Sequence, residues 1–215
     1  LRYRPAYRFL RNSVVMDGIS DESVAKSLEG IKASYAKNVG KGRITQEQMD
    51  QAVSNISITS KIEDVADCDF IIECVYEDAE LKTGIFAQLN ELCPETTIFA
   101  SNTSAIPIST LANGCGRPDR LVGTHFFNPA PVMKLVEIVR GIKTSDETLA
   151  AAKQLIADLG KVGVIVSDTP GFLVNRLMHA FRNEAMVCLQ EASPPWRILT
   201  PPWNWGWATP WVPSP

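Results

Sequence analysis

The sequence is poor in histidine, with His125 and His179 its only two among 215 residues. It has no excess of base: 21 Lys and Arg face 24 Asp and Glu, for a net charge of −3. That balance offers no basic face to nucleic acid or to an anionic membrane. No apolar run approaches the roughly 20 residues that cross a bilayer. The Arg-rich opening L-R-Y-R-P-A-Y-R-F-L-R lacks the apolar core of a secretory signal. Cysteine is scarce and scattered, and Cys68, Cys74, Cys93, Cys115 and Cys188 form no C-x-x-C pair. Such a set reads as reduced thiols in a cytoplasmic protein, not as a disulfide framework or a metal site. The glycine-rich phosphate fingerprint G-x-G-x-x-G is also missing.

What is present is an ordinary globular composition, 45% hydrophobic and 21% charged. Val14-Val15-Met16 reads as a short buried strand. Ser20-Asp21-Glu22 opens a helix, with Val24, Leu28, Ile31 and Tyr35 at helical spacing. Thr45 and Gln48 fit a capping box for a second helix. The run from Asp69 to Val75 is almost continuously apolar, as in a parallel strand covered on both faces. Residues 79–92 form an amphipathic helix with an expected apolar face of Leu81, Ile85, Leu89 and Leu92. Further strands are expected over 97–101, 135–139 and 162–166, and helices over 108–112, 145–159 and 172–191. Strands alternating with helices predict an α/β fold: a Rossmann-like, mainly parallel sheet with helices on both faces, then the start of an all-α domain. The predicted division is 1–168 for the sheet domain and 169–215 for the start of the helical one.

The last segment breaks this pattern. All five Trp lie between Trp196 and Trp211, among six Pro from Pro194 to Pro213. Read one frame over, with synonymous codon choice, residues from Trp196 can spell E-D-I-D-T-A-M-E-L-G-L-G-H-P-M-G-P-L. The same shift at the start can spell C-G-I-A-Q-L-I-A-S-C-G-T-V. Both termini are therefore read as frame-shifted; genomic DNA lacking those codons would sink that reading.

Polar groups concentrate between Ser101 and Glu137. The stretch holds S-N-T-S and H-F-F-N-P-A-P-V-M-K-L-V-E, and P-G-F-L-V-N-R follows at 170–176. Polar side chains at the edges of buried strands must be paired or must do chemistry. On these motifs, over about Val14 to Glu191, the chain resembles the L-3-hydroxyacyl-CoA dehydrogenases, with the short 3-hydroxybutyryl-CoA type most similar. Both frame-restored strings also resemble that family.

The resemblance implies NAD-dependent oxidation of a 3-hydroxyacyl-CoA to the 3-ketoacyl-CoA. His125 matches the family's catalytic base, a role suited to imidazole chemistry near neutrality. Glu137 matches the carboxylate that holds that imidazole in one tautomer. Ser104 and Asn175 match residues that hydrogen-bond the substrate's reacting oxygen; their bland readings are a helix cap and a surface amide. His179 matches no catalytic position and reads as structural. Glu77, Lys82 and Asn102 match cofactor-contacting positions. Asp17 stands for the acid that takes the adenosine ribose hydroxyls, one residue early against the family pattern. A homodimer through the helical domain is implied, with an acyl-CoA as substrate. The competing readings are a catalytically silent fragment, a related dehydrogenase of non-CoA hydroxyacids, and a crystallin-like structural relative.

Overall fold

The computed structural model of the chain describes residues 13–191. The terminal segments read above as out of frame lie outside those residues. The chain separates into two compact units, Leu1–Phe172 and Leu173–Pro215.

The first unit opens with β1 (Val14–Asp17). Helix α1 (Asp21–Val39) starts at Ser20, whose hydroxyl accepts the Ser23 amide while Ser23 returns the bond, and Asp21 and Glu22 favour its positive end. Helix α2 (Gln46–Ser54) is capped by the Thr45/Gln48 box predicted from sequence. Strand β2 (Ile56–Thr59) runs parallel to β1, with Asp17 opposite Thr59. Ile31, Tyr35 and Ala52 bury a small core beneath this pair.

A second sheet has the order β3 (Phe70–Glu73), β4 (Ile98–Ser101), β5 (Leu121–Phe126), β6 (Leu135–Arg140), β7 (Val162–Ser167). Pairing is parallel except between β5 and β6, which run antiparallel. The layout is Rossmann-like and mainly parallel, with helices over both faces. The two-residue period of the strands sorts the core into two layers. Phe99, Leu121 and Val139 join Phe86 and Leu89 of α3 (Ala79–Leu92) and Ile108 and Leu111 of α4 (Ile108–Ala112). Ile98, Ala100, Val122, Val136 and Ile138 pack under Leu149, Ala152 and Ile156 of α5 (Asp146–Asp158).

Among the described residues no strand joins β1 to β3, yet Val15 and Ile71 lean on the same core cluster. In the doubly wound order 3-2-1-4-5-6 the strand between those positions leads into the phosphate-binding turn.

Two expectations need correction. Strand β3 is not sealed on both faces: Phe70, Ile71 and Ile72 are only half-buried and its buried member is Glu73. The buried stripe of α3 is Lys82, Phe86 and Leu89, while Leu81 and Leu92 face out, because a lysine takes the inward position at the end of β3. The second unit, described by itself, is α6 (Val174–Gln190), with Leu177, Phe181, Met186 and Val187 exposed. Among the described residues no helix is long and apolar enough to cross a membrane.

Candidate active site

The site is built at the carboxyl ends of β3, β4 and β5. His125 and Glu137 lie directly opposite each other on the antiparallel strands β5 and β6. Their twelve-residue separation in sequence is therefore a cross-strand contact, with Nδ1 2.7 Å from a Glu137 carboxylate oxygen. Both side chains are buried, at 5% and 1% exposure. The carboxylate takes Nδ1–H and so leaves Nε2 as the basic nitrogen.

Two aromatic rings wall the imidazole: Phe127 at 4.6 Å and Phe172 at 5.6 Å between centroids. Phe172 is buried although its backbone is left-handed, at φ 50°. That conformation is strained for a bulky residue and is held by the burial of the ring. Two residues before His125 on the same face, Gly123 leaves no room for a side chain: a Cβ there would lie 2.7 Å from Val139 Cβ and 2.9 Å from Ile108 Cδ1. A larger residue would push β5 away from β6, and with it the His125–Glu137 pair.

Asn102 ties two strand ends together. Its amide donates to the Glu73 carbonyl at 2.8 Å, and its Oδ1 accepts the Phe126 amide at 2.9 Å. Glu77 gathers the next loop: one carboxylate oxygen accepts the Thr103 hydroxyl at 2.5 Å and the amides of Ser104 and Ala105 at 2.8 and 3.0 Å. Burial works against that charge, but these donors, with the Lys82 cation, hold Glu77 below the usual carboxylate range. Ser104 itself is exposed at this turn.

Lys82, expected among the cofactor-contacting residues, lies at the end of β3. It is 1% exposed, and its ammonium donates to Glu73 at 2.8 Å and to the Val75 carbonyl at 3.2 Å, with Glu77 at 3.5 Å. It stands behind Glu77 and offers no open surface of its own. Asp17 ends β1, and its Oδ1 is buried without a hydrogen-bond partner. Burial, then the charges of Asp64 and Glu63, raise its carboxyl above the usual range against the Gly18 amide. An orphaned acceptor at a strand's carboxyl end is what a ribose hydroxyl would satisfy, so Asp17 fits the adenosine side of NAD. The pyrophosphate turn has no counterpart among the described residues. Asn175 lies on α6, in the second unit.

With this geometry in place, the relatives can be set beside it. The sequence profile of the 3-hydroxyacyl-CoA dehydrogenase NAD-binding domain matches residues 8–169. The chain belongs to that family. A probable 3-hydroxybutyryl-CoA dehydrogenase of Bacillus subtilis is 39% identical over 178 residues, covering 83% of this chain and 62% of the relative. The 3-hydroxybutyryl-CoA dehydrogenase of Bradyrhizobium diazoefficiens is 40% identical, covering 83% of this chain and 61% of its own length. The crystal structure of (S)-3-hydroxybutyryl-CoA dehydrogenase from Ralstonia eutropha superposes with a TM-score of 0.86 at 37% identity, over 92% of this chain and 70% of that one. The chain thus spans about three fifths of the length of those two sequence relatives.

Three contributors to the dehydrogenase-family site were missed from sequence. Glu73 was visible as a lone acid within F-I-I-E-C-V. The rings of Phe127 and Phe172 sit inside the motifs that carry the resemblance, but only their packing on His125 gives them a role. The five cysteines are free thiols. Cys74 is pushed up to about 12 by burial and then by the Glu73 charge, which makes it a poor nucleophile.

Proposed function

We propose that the protein is an NAD-dependent dehydrogenase of 3-hydroxyacyl-CoA, with short acyl chains as its substrates. The observation that carries this is the buried His125–Glu137 pair on adjacent antiparallel strands. NAD, when bound, supplies the acceptor for the substrate's hydride. His125 Nε2 takes the proton of the 3-hydroxyl group. Glu137 keeps Nδ1–H in place and balances the imidazolium that forms. Ser104 hydrogen-bonds the reacting oxygen. Phe127 and Phe172 exclude water from one side of the ring. Asp17, Glu77 and Asn102 line the cofactor's path along the strand ends, Asp17 toward the ribose.

The supporting relatives are themselves named as 3-hydroxybutyryl-CoA dehydrogenases. A homodimer is proposed through the second unit, on the exposed apolar side chains of α6. A cytoplasmic location is proposed on the free thiols.

A second reading is a catalytically silent chain, since among the described residues no strand lies between β1 and β3. One experiment separates the two. Acetoacetyl-CoA and NADH are mixed with the purified full chain, and nicotinamide absorbance is followed. Loss of NADH that vanishes in His125→Ala supports the dehydrogenase. No turnover at any protein concentration supports the silent chain.

A further inference from the structure

Asp168 takes no part in the chemistry above, yet it is bonded to an element that frames the site. It directly follows β7. Both its carboxylate oxygens are spent on α4: one accepts the Ile108 amide at 2.8 Å and the other the Ser109 amide at 2.7 Å. Pro107, at the N-cap position of α4, offers those amides no side-chain bond. An acid 60 residues from Ile108 caps the helix instead, with charge-assisted bonds at its positive end.

Helix α4 is the far anchor of the Ser104 loop. Glu77 holds that loop at Thr103, Ser104 and Ala105, and α4 begins just beyond, at Ile108. The Ile108 side chain fills a slot left by two glycines: a Cβ on Gly123 would lie 2.9 Å from it, and one on Gly141 3.0 Å. Ile108 is thereby seated against β5, the strand that carries His125. Beyond Asp168 the chain turns back. Pro170 and Gly171 are the middle residues of a turn in which the Phe172 amide donates to the Thr169 carbonyl at 2.8 Å, with Gly171 at φ 74°. That turn lays Phe172 on the imidazole and in the same buried cluster as Ile108.

We infer that Asp168 is a positioning residue for the His125 site: its carboxylate joins the turn that carries Phe172 to the helix that ends the Ser104 loop, so both are held in one register. Asp168 acts through Phe172 and α4. Its meaning for catalysis rests on the dehydrogenase reading; the joint itself does not.

The test uses the full chain without ligand. Asp168→Asn keeps the shape and one acceptor, but sets an NH2 group against an amide that needs an acceptor. Amide hydrogen exchange is read first. Exchange at Ile108, Ser109 and Phe172 is expected to rise about tenfold or more, with α5 and β6 unchanged. The imidazole proton NMR signals are read second. The chain has two, from His125 and His179, and His125→Ala assigns them. The His125 signal is expected to move toward its position in Phe172→Leu, where the ring is gone. An unmoved His125 signal overturns the proposal even if Ile108 and Ser109 lose protection, because Asp168 is then only a helix cap. So does an equal rise of exchange in α5 and β6, or failure of the variant to fold, since each marks a merely structural acid. If the chain turns over acetoacetyl-CoA with NADH, kcat is expected to fall about tenfold with the KM for NADH unchanged, because the strand ends that face the cofactor are not displaced. An unchanged kcat overturns the catalytic meaning. If wild type neither binds NADH nor turns over, the dehydrogenase reading fails, and the exchange and NMR signals still decide the joint.

Discussion

Replacing Glu137 with Gln tests the heart of the site with little change in shape. The amide oxygen can still accept Nδ1–H, so packing is kept and the chain should fold. What is lost is the negative charge 2.7 Å from the imidazole. With charge centres roughly 4 Å apart and an effective dielectric of about 20, the attraction that develops as His125 takes a proton is about 4 kcal/mol. That corresponds to about a 10³-fold loss in kcat. The Gln amide can also turn its NH2 group toward the ring, which reverses the tautomer and places the proton on Nε2. Steady-state rates in the oxidation direction, with 3-hydroxybutyryl-CoA and NAD, measure the first effect, and imidazole ¹⁵N shifts measure the second without any turnover. A loss below tenfold, with the Nε2 nitrogen still unprotonated and the variant folded, would refute the assignment of Glu137 as orienter and counter-charge.

Other substitutions probe other links. Gly123→Ala should cost about 1–3 kcal/mol in urea unfolding, because the new methyl meets Val139 and Ile108 between two packed layers. Asp17 holds its proton more tightly when folded, so its contribution to stability declines as pH rises from the ordinary Asp range through its raised value. Asp17→Asn should flatten that decline in pH-dependent melting and weaken NADH binding in fluorescence titration; an unchanged melting profile would count against a buried Asp17. The Cys74 thiol, pushed up to about 12, should label with iodoacetamide at pH 8 far more slowly in the native chain than in denatured protein. Labelling of Cys74 as fast as in denatured protein would contradict the structure there.

Much of the local structure was legible because it depends on near neighbours. The Ser20 cap and the Thr45 capping box depend only on residues close in sequence, and both helices begin where those residues stand. The bounds of α3 and α4 followed from periodicity and breakers. The facing of α3 was not legible. Its apolar pattern alone points Leu81 inward, but Glu73, nine residues earlier on another element, draws Lys82 into the core instead. Likewise nothing local in F-I-I-E-C-V shows that its acid meets Ser101.

The sequence by itself determined the element order, the caps and the motifs that mark the family, because each is written in contiguous residues. Only the tertiary structure decided which of those residues meet. Antiparallel register sets His125 opposite Glu137, and the buried ring of Phe172, from a distant turn, closes on the imidazole beside its near neighbour Phe127. Glu73 accepts the Ser101 hydroxyl and so links the ends of β3 and β4, which lie far apart in sequence. Such contacts depend on strand order and register, which are settled by burying whole faces at once, and no short stretch of chain encodes that alone.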